Sequence, residues 1–482
     1  MAEAIQFSQI PSGIRKPGKY FEFNTSLAVR TLPGIDWQVL IIGQRLAAGS
    51  VAALVPTQVF SEQDAETYFG IGSIAHRMVR AALQANPYLK LTVCTLDDAA
   101  ASVAASGTVT IANAATSTGV LSLYVANEEV DVVVNSGDTP TIIAGNIVTA
   151  ITNLPDLPVT ASAALGVVTL TAKNKGTVGN QIGMGYLLQN VSATTVTIVQ
   201  MANGTTDPTL QNALNAVFAQ QFDITITPYN TQANLAILKT QLETLSNAIE
   251  QRPGVGVYAV TGPLAAATTL AGQVNEGRIL GAYLRLTAGT TQQMSAAYEL
   301  AAAYGAVMAS EPDPGRPLNT LALTGISPPA MADRLSRTEQ ESCLANGVAP
   351  LEVGPGLTVQ IVRAISTYTL NPAGVPDVSL LDITTIRALD YVRLSCRTRI
   401  ALRFPREKLN AVKTPPRVRT ELLDVLKQLE DLNMVENVDT YLPMLVVQPD
   451  GQDATRLDAQ IPADIVPGLH IFAGVIYLLL GA

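Results

Sequence analysis

The residue types that usually carry catalysis or bind metals are few and scattered in this sequence. The two histidines, His76 and His470, have no cysteine or acidic residue at ligand spacing, although a zinc site or a Ser-His-Asp triad would need one of them. The three cysteines, Cys94, Cys343 and Cys396, are far apart and form no CxxC pair. We therefore expect no metal, no cofactor and no disulfide framework, and synthesis in a reducing cytoplasm.

A glycine-containing turn, Gly43-Gln-Arg-Leu-Ala-Ala-Gly49-Ser50, follows the first apolar run and resembles a phosphate-binding loop. The loop motif needs its glycines one residue closer together and a lysine after the second, and both features are missing here. The paired acids Glu128 and Glu129 could serve a glycosidase, but no pattern places a partner for them. The sequence predicts a protein that is not an enzyme. An α/β enzyme with an unrecognised active site is the alternative from a different class.

The strongest charge feature is a basic block at residues 387–419, followed by an acidic stretch at residues 420–458. These opposite charges could pair inside one subunit, or meet their complements on neighbouring copies in a contact that propagates. The sequence does not choose between the two. The residues of the block that could contact a neighbour or another protein are Arg393, Arg397, Arg399 and Arg403.

Composition favours burial of surface against other chains. Hydrophobic residues make up 48% of the 482 residues and charged residues 14%, with a mean hydropathy of +0.27, whereas soluble monomers carry about a quarter charged residues. The longest apolar run, residues 471–480, is shorter than the roughly 18 residues of a membrane-spanning helix. The N-terminus lacks the features of a signal peptide. The net charge of −9 argues against nucleic acid as a partner. Self-assembly without membrane insertion is the remaining interpretation.

Hydrophobic periodicity predicts an α/β protein with a mixed sheet, split by an insertion. Residues 39–43 and 89–95 are typical of buried strands, and residues 61–86 of a helical region with Ser73 as a possible cap. From residue 207 helices and strands alternate, as in crossover units, and residues 348–370 indicate a hairpin.

Residues 93–206 contain few charges and many Thr, Ser, Ala and Val residues in alternating runs, with one helix near residues 142–153. They predict a mostly-β module with its own core. The predicted organisation is an N-terminal arm (1–36), a main α/β domain (37–92 plus 207–460), this inserted domain (93–206) and a C-terminal arm (461–482).

Six segments along the chain carry the most distinctive local sequences. They are 10–20 (Ile-Pro-Ser-Gly-Ile-Arg-Lys-Pro-Gly-Lys-Tyr), 222–229 (Phe-Asp-Ile-Thr-Ile-Thr-Pro-Tyr), 313–321 (Asp-Pro-Gly-Arg-Pro-Leu-Asn-Thr-Leu), 363–374 (starting Arg-Ala-Ile-Ser-Thr-Tyr), 404–409 (Phe-Pro-Arg-Glu-Lys-Leu) and 453–480. Together, and in this order, they resemble Mu-like contractile phage tail sheath proteins. The resemblance covers nearly the whole chain outside the inserted domain, although the terminal segment is more apolar than that family's pattern.

The resemblance implies a structural subunit that polymerises as stacked hexameric rings around a tail tube and contracts to drive the tube through the host envelope. Its implied partners are further copies of itself, the tail tube protein, and baseplate and tail terminator proteins, in a virion tail assembled in the host cytoplasm. The inserted domain would face outward. The sheath of a contractile bacteriocin or injection system is an alternative within the same class, and a tube or shell protein is a third option.

The resemblance also implies that extended arms add strands to sheets of neighbouring subunits, which is β-augmentation between copies. Apolar residues that alternate or cluster near each end of the chain are the candidates for these contacts. They are Ile5, Phe7, Ile10, Tyr20, Phe21 and Phe23 in the N-terminal arm, and Ile471, Phe472, Val475, Tyr477 and Leu479 in the C-terminal arm.

Overall fold

The computed structural model describes residues 15, 16, 18, 19, 21, 32–34, 36–286 and 293–478. The chain divides into two compact units. The larger comprises Ile35–Tyr391 and the segment from Ile465 onward, and the smaller comprises Val392–Asp464 with the residues up to Gly34. The predicted organisation, with residues 37–92 and 207–460 in one domain, uses other bounds and stays a prediction.

The strands, numbered in chain order, are short and belong to several separate sheets. They are β1 (Gln38–Gln44), β2 (Thr57–Val59), β3 (Lys90–Leu96), β4 (Ser106–Ala112), β5 (Gly119–Val125), β6 (Glu128–Val134), β7 (Val159–Ala164), β8 (Val167–Ala172), β9 (Met184–Gln189), β10 (Thr195–Ala202), β11 (Ile224–Ile226), β12 (Val255–Val260), β13 (Ile279–Tyr283), β14 (Ala349–Val353), β15 (Val359–Ile361), β16 (Val435–Glu436), β17 (Val446–Pro449), β18 (Leu457–Gln460) and β19 (Asp464–Ile465).

The helices range from a single turn to more than five turns. They are α1 (Glu62–Phe69), α2 (Ile74–Ala85), α3 (Pro140–Thr152), α4 (Leu210–Ala216), α5 (Gln232–Ser246), α6 (Leu264–Val274), α7 (Ala297–Ser310), α8 (Arg337–Ala345), α9 (Ile383–Arg403), α10 (Thr414–Asp431) and α11 (Val438–Tyr441). Within the described part of the chain, no helix combines the length and apolar character needed to cross a bilayer.

An eight-stranded mixed sheet forms the centre of the larger unit, in the order β15-β14-β13-β12-β11-β1-β3-β2. The six inner strands are parallel, and β2 and β15 pair antiparallel at the two edges. Strand β1 is almost wholly buried, as its continuous apolar run predicts. The Ala-rich α7 is buried along nearly its whole length and packs on α2 and β12. The predicted mixed α/β sheet and the hairpin of β14 with β15 are both present.

The predicted helical region at residues 61–86 consists of two helices rather than one. Gly70 and Gly72 adopt positive φ angles of 90° and 77°, which other residues rarely adopt, and they end α1 and redirect the chain. Ser73 then caps α2, since its hydroxyl accepts a hydrogen bond from the His76 backbone N–H at 3.0 Å. The predicted cap is therefore confirmed, and the helical region before it forms a separate helix, α1.

The low-charge segment folds as two antiparallel sheets, β10-β4-β8-β7 and β6-β5-β9, together with α3. Most of its buried apolar residues form a cluster of their own, whereas Val178 packs in the cluster of the eight-stranded sheet. Strand β3 pairs in register with β1 through Leu96, so the first four residues of the predicted insertion belong to the eight-stranded sheet. The two ends of the segment meet where Val103 and Thr205 exchange backbone hydrogen bonds of 3.1 and 3.2 Å.

The smaller unit contains α10 and a two-stranded antiparallel hairpin of β17 and β18. Helix α10 begins at Thr414 with two prolines in its first turn and buries Val418, Leu422, Val425 and Leu429 along one face. Arg419 on this helix donates to the carbonyls of Leu445 and Leu442 at 2.8 and 3.1 Å, just before β17. These contacts fix the hairpin to the helix.

Candidate assembly interface

The C-terminal segment leaves the protein surface after His470. Residues 466–478 have no helix or strand, and residues 471–478 are all exposed. The side chains of Ile471, Phe472, Val475, Ile476 and Tyr477 are each at least 76% exposed. Isolated exposed apolar residues are ordinary, but a contiguous run of this kind marks an interaction site. Four of the five predicted C-terminal contact residues lie here, and Leu479 lies outside the described residues.

The predicted N-terminal contact residues fall mostly outside the described part of the chain. Ile5, Phe7, Ile10, Tyr20 and Phe23 are not described. Phe21 is described, and it is 89% exposed. One exposed phenylalanine is compatible with a contact to another chain but does not indicate one.

The hairpin of β17 and β18 offers open strand edges. Its four residue pairs run from Val446–Gln460 to Pro449–Leu457, and among the described residues neither strand has a second strand beside it. A two-stranded sheet is marginal in water, and its unpaired backbone groups form a template for a further strand. The sequence analysis did not single out this hairpin, although residues 453–458 of its family resemblance lie in its turn and second strand.

The basic block at residues 387–419 contains both buried arginines, paired with carboxylates, and exposed ones. Arg399 is 4% exposed and contacts Glu421 at 3.2 Å and Asp424, both on α10. Arg403 lies 3.5 Å from the same Glu421. For these two residues the structure favours pairing inside the subunit, because their carboxylate partners lie beside them within the same unit. Arg393 is partly buried and Arg397 is exposed, so Arg397 is the better candidate for contact with a neighbour.

The broken phosphate loop is a packing turn. A Cβ at Gly43 would lie 2.9 Å from Ala75 Cα, and one at Gly49 would lie 2.5 Å from the Tyr68 carbonyl. The Arg45 guanidinium fills the turn and donates to the carbonyls of Leu46, Ala47 and Gly49 at 3.2 to 3.4 Å. The turn therefore presents carbonyl oxygens to a cation of the same chain, whereas a phosphate site presents backbone N–H groups.

One group of side chains in the described residues has metal-ligand spacing. Ligand atoms of Glu62, Glu66 and His76 all lie within 4.8 Å of one another. His76 Nδ1 accepts the Gly72 backbone N–H at 3.0 Å, so the neutral ring carries its hydrogen on Nε2, which faces the two carboxylates. Burial, together with Arg77 and Arg80, lowers the pKa of His76 to about 4, which keeps the ring neutral. An N–H directed at the carboxylates has no lone pair for a metal, so this group is not a built cation site.

Buried ion pairs join the inserted module to α2 and α7. Arg77, 2% exposed, contacts Glu299 on α7 at 2.6 Å and Glu128 at the start of β6 at 2.8 Å. Burial alone would lower the pKa of Arg77, but the charges of Glu299 and Glu128 outweigh it and hold this pKa above its ordinary value. Asn174 of the module accepts the Ile74 N–H and donates to the Arg45 carbonyl, at 3.0 and 2.9 Å. The sequence analysis missed these contacts, because no local pattern pairs positions so far apart.

Known proteins resemble this chain over nearly its whole length. A family model described as the phage tail sheath protein central domain matches residues 203–367, and one described as the phage tail sheath C-terminal domain matches residues 375–478. The Mu-like prophage FluMu tail sheath protein of Haemophilus influenzae is 33% identical over 493 residues, covering 99% of this chain and 100% of the relative. This chain belongs to the phage tail sheath protein family. The predicted resemblance is confirmed.

Solved structures of sheath proteins share the fold. The sheath tail protein of Desulfitobacterium hafniense superposes with a TM-score of 0.52 at 16% identity, covering 94% of this chain and 97% of that one. The sheath tail protein of Listeria innocua gives a TM-score of 0.51 at 15% identity, covering 92% and 94%. The relatives are structural sheath proteins, which confirms that this chain is not an enzyme but a component of the tail sheath of contractile phage-like particles.

Proposed function

We propose that this sheath protein polymerises as stacked hexameric rings around a tail tube, and that the polymer shortens to drive the tube through the host envelope. The observation that carries the proposal is the exposed apolar run at residues 471–478. Burying one large apolar side chain contributes about 1.5–3 kcal/mol, so leaving this run in water costs much more than a typical chain end. In a self-assembling protein, a neighbouring copy of the chain can bury this apolar run.

Each subunit lends its C-terminal segment as a strand to the next. The open-edged hairpin of β17 and β18 is the proposed recipient, because an added strand would satisfy its unpaired backbone groups while the apolar side chains are buried. Such strand links hold subunits together while the packing between their larger surfaces changes. Contraction is then a rearrangement from a less stable to a more stable packing, and it needs no cofactor.

The proposed partners are further copies of the chain, the tail tube inside the rings, and baseplate and tail terminator proteins at the two ends of the polymer. The exposed Arg397 is the proposed contact with the tube or a neighbour. Assembly takes place in the host cytoplasm, where the buried thiols of Cys94, Cys343 and Cys396 remain reduced.

The test is a chain that ends at Pro467. We expect a folded, more soluble monomer or small oligomer that forms no tubes in electron micrographs. Its melting temperature should fall only slightly, through loss of the His470 contacts to Asn319 and Asp382. A full-length control with Phe472, Ile476 and Leu478 replaced by serine keeps the length but removes the apolar surface, and it should likewise form no tubes. Tube formation by the shortened chain would show that assembly does not need the segment. A sharp fall in its melting temperature would show that the segment serves its own subunit instead.

A further inference from the structure

Residues 311–320, which follow α7, are here called the connector. Trp37, the first residue after the predicted N-terminal arm, is hydrogen-bonded to this connector. The Trp37 Nε1–H donates to the carbonyl of Glu311 at 2.8 Å. Its ring lies against the guanidinium of Arg387, 4.2 Å from the ring centroid, and Arg387 also donates to the carbonyls of Met308 and Glu311 at 3.3 and 3.5 Å. A cation–π contact is strongest when the cation is desolvated, as Arg387 is here, so it adds to the hydrogen bonds that hold this root.

The base of the C-terminal arm is fixed to the other end of the same connector. Asn319 Nδ2 lies 3.0 Å from His470 Nδ1, and a Cβ on Gly468 would lie 2.5 Å from Pro317 Cγ, so the backbone there rests against the proline ring. His470 Nε2 is 3.6 Å from Asp382, which Arg363 holds with two hydrogen bonds of 2.8 Å. The His470 side chain is 12% exposed, whereas that of Ile471 is 78% exposed, so the anchored part ends abruptly at residue 470.

The connector is built to be stiff. Pro312, Pro314 and Pro317 fix three of its φ angles, and the Asp313 carboxylate accepts the Gly315 N–H at 2.9 Å inside it. Leu318 is 1% exposed, and the Thr320 N–H donates to the Ile361 carbonyl at 2.8 Å, which ties the far end to β15.

The beginning of α9 forms a second link between the two roots. Asp382, which faces His470, immediately precedes α9, and Arg387, which covers Trp37, lies in its second turn.

We propose that the connector and the beginning of α9 form one bracket that holds the roots of both arms, so that the direction in which one arm leaves the subunit is coupled to that of the other. The inference rests on the proposed function, in which the C-terminal arm joins a neighbouring copy, and adds that the N-terminal arm joins another. A displacement of the neighbour on one arm is then passed through the bracket to the neighbour on the other, without rearrangement of the eight-stranded sheet.

The chain carries two convenient reporters for this coupling. Trp37 is its single tryptophan, so fluorescence excited where the 14 tyrosines do not absorb reports the N-terminal root alone. The three native cysteines are buried, so a spin label on Ala473→Cys reports the C-terminal root. The test uses the dilute full-length chain before assembly, with the variants His470→Ala and Asn319→Ala. Gly468→Ala disturbs the packing of the C-terminal root against Pro317 of the connector, and it replaces Asn319→Ala if that variant fails to fold.

We expect each variant to increase the mobility of the label at position 473 and to shift the Trp37 emission to longer wavelength, as a loosened root exposes the ring to water. Conversely, Arg387→Met should increase label mobility at position 473, because coupling between two sites is reciprocal. Tyr477→Ser, beyond the anchored part, is the matched control and should change neither signal.

Unchanged Trp37 emission in folded His470→Ala and in a folded connector or arm-side variant would overturn the coupling, and so would unchanged label mobility in Arg387→Met. These signals come from the unassembled chain and do not depend on tube formation. Failure of the proposed function is seen separately, as tubes formed by the chain that ends at Pro467.

Discussion

At the scale of single residues, Arg77 is the clearest test of how the inserted module is held. Its guanidinium is buried between Glu299 and Glu128, and Glu299 also accepts the Ala296 N–H at 3.0 Å. Arg77→Ala leaves a 4%-exposed carboxylate without its cation, and breaking a buried pair in this way costs about 3–5 kcal/mol. We expect a loss of that size in the free energy of unfolding, measured by denaturant titration of the chain that ends at Pro467.

The matched control is the double variant Arg77→Met, Glu299→Gln, which removes both buried charges. It should be clearly more stable than Arg77→Ala, because no buried charge is left without its partner. Equal losses in the two variants would show that the unpaired Glu299 carboxylate is not what destabilises Arg77→Ala.

His76 makes stability depend on pH. Its pKa is lowered to about 4 in the folded protein by burial and by the charges of Arg77 and Arg80, whereas an unfolded histidine has a pKa of about 6.5. Between these values the unfolded chain binds a proton that the folded protein does not, so stability is lost as the pH falls below 6.5.

The expected contribution of His76 to this loss is about 3 kcal/mol between pH 6.5 and 4. His76→Asn retains an acceptor for the Gly72 N–H but does not titrate, and the difference between the two pH profiles of unfolding free energy isolates the histidine. Parallel profiles for the original chain and the variant would contradict the lowered pKa.

At the scale of elements, the inserted module should be removable. Val103 and Thr205 exchange both backbone hydrogen bonds, so residues 104–204 can be replaced by Asn-Gly, the two-residue turn that closes such a pair. We expect the eight-stranded sheet to fold with lower stability, because α2 loses the contacts of Arg77 to Glu128 and of Ile74 to Asn174. Circular dichroism and thermal unfolding measure this.

Asn174→Ala is the control for those lost contacts, since it keeps the module but removes the hydrogen bonds to Ile74 and Arg45, and it should cost about 1–3 kcal/mol. If the chain without residues 104–204 is insoluble and lacks secondary structure, the module and the eight-stranded sheet fold as one unit. Their apolar clusters then do not mark parts that fold independently.

Elements with strong local signals were the predictable ones. The buried run of β1, the Ser73 cap and the hairpin of β14 with β15 each follow from a pattern within a few residues. The end of β3 at Leu96 was not predictable, because its pairing with β1 decides it. The division within α9 between the two compact units was not predictable either, because it depends on contacts between segments far apart in the sequence. The same limit applies to the connector: its residues carry part of the family resemblance, but nothing local shows that Asn319 meets His470.

At the scale of the whole molecule, the exposed part of the basic block should make assembly sensitive to salt. Arg397, Arg406, Lys408 and Lys413 are exposed, and charges on a surface are screened beyond about 10 Å at 0.1 M salt. Replacing Arg393 and Arg397 together by Glu should impair tube formation without unfolding the monomer, measured by sedimentation and thermal unfolding across a salt series.

Arg399→Glu supplies the contrast, because it places a negative charge beside Glu421 and Asp424 inside the unit and should lower the melting temperature itself. Normal, salt-independent assembly of the double variant would mean that the block is paired or solvated within each subunit.

The two edges of the eight-stranded sheet have a consequence for the fidelity of assembly. Both edge strands, β2 and β15, are only three residues long, and the Ala322–Gln360 bridge lies beside β15. Short or covered edges make poor templates for stray strands. At the high local concentration of a growing polymer, a wide sheet with long bare edges would capture the apolar ends of passing copies and produce amorphous aggregate. Because the edges of this sheet are short or covered, the open-edged hairpin of β17 and β18 is the better acceptor for an added strand. The fold itself therefore disfavours misassembly.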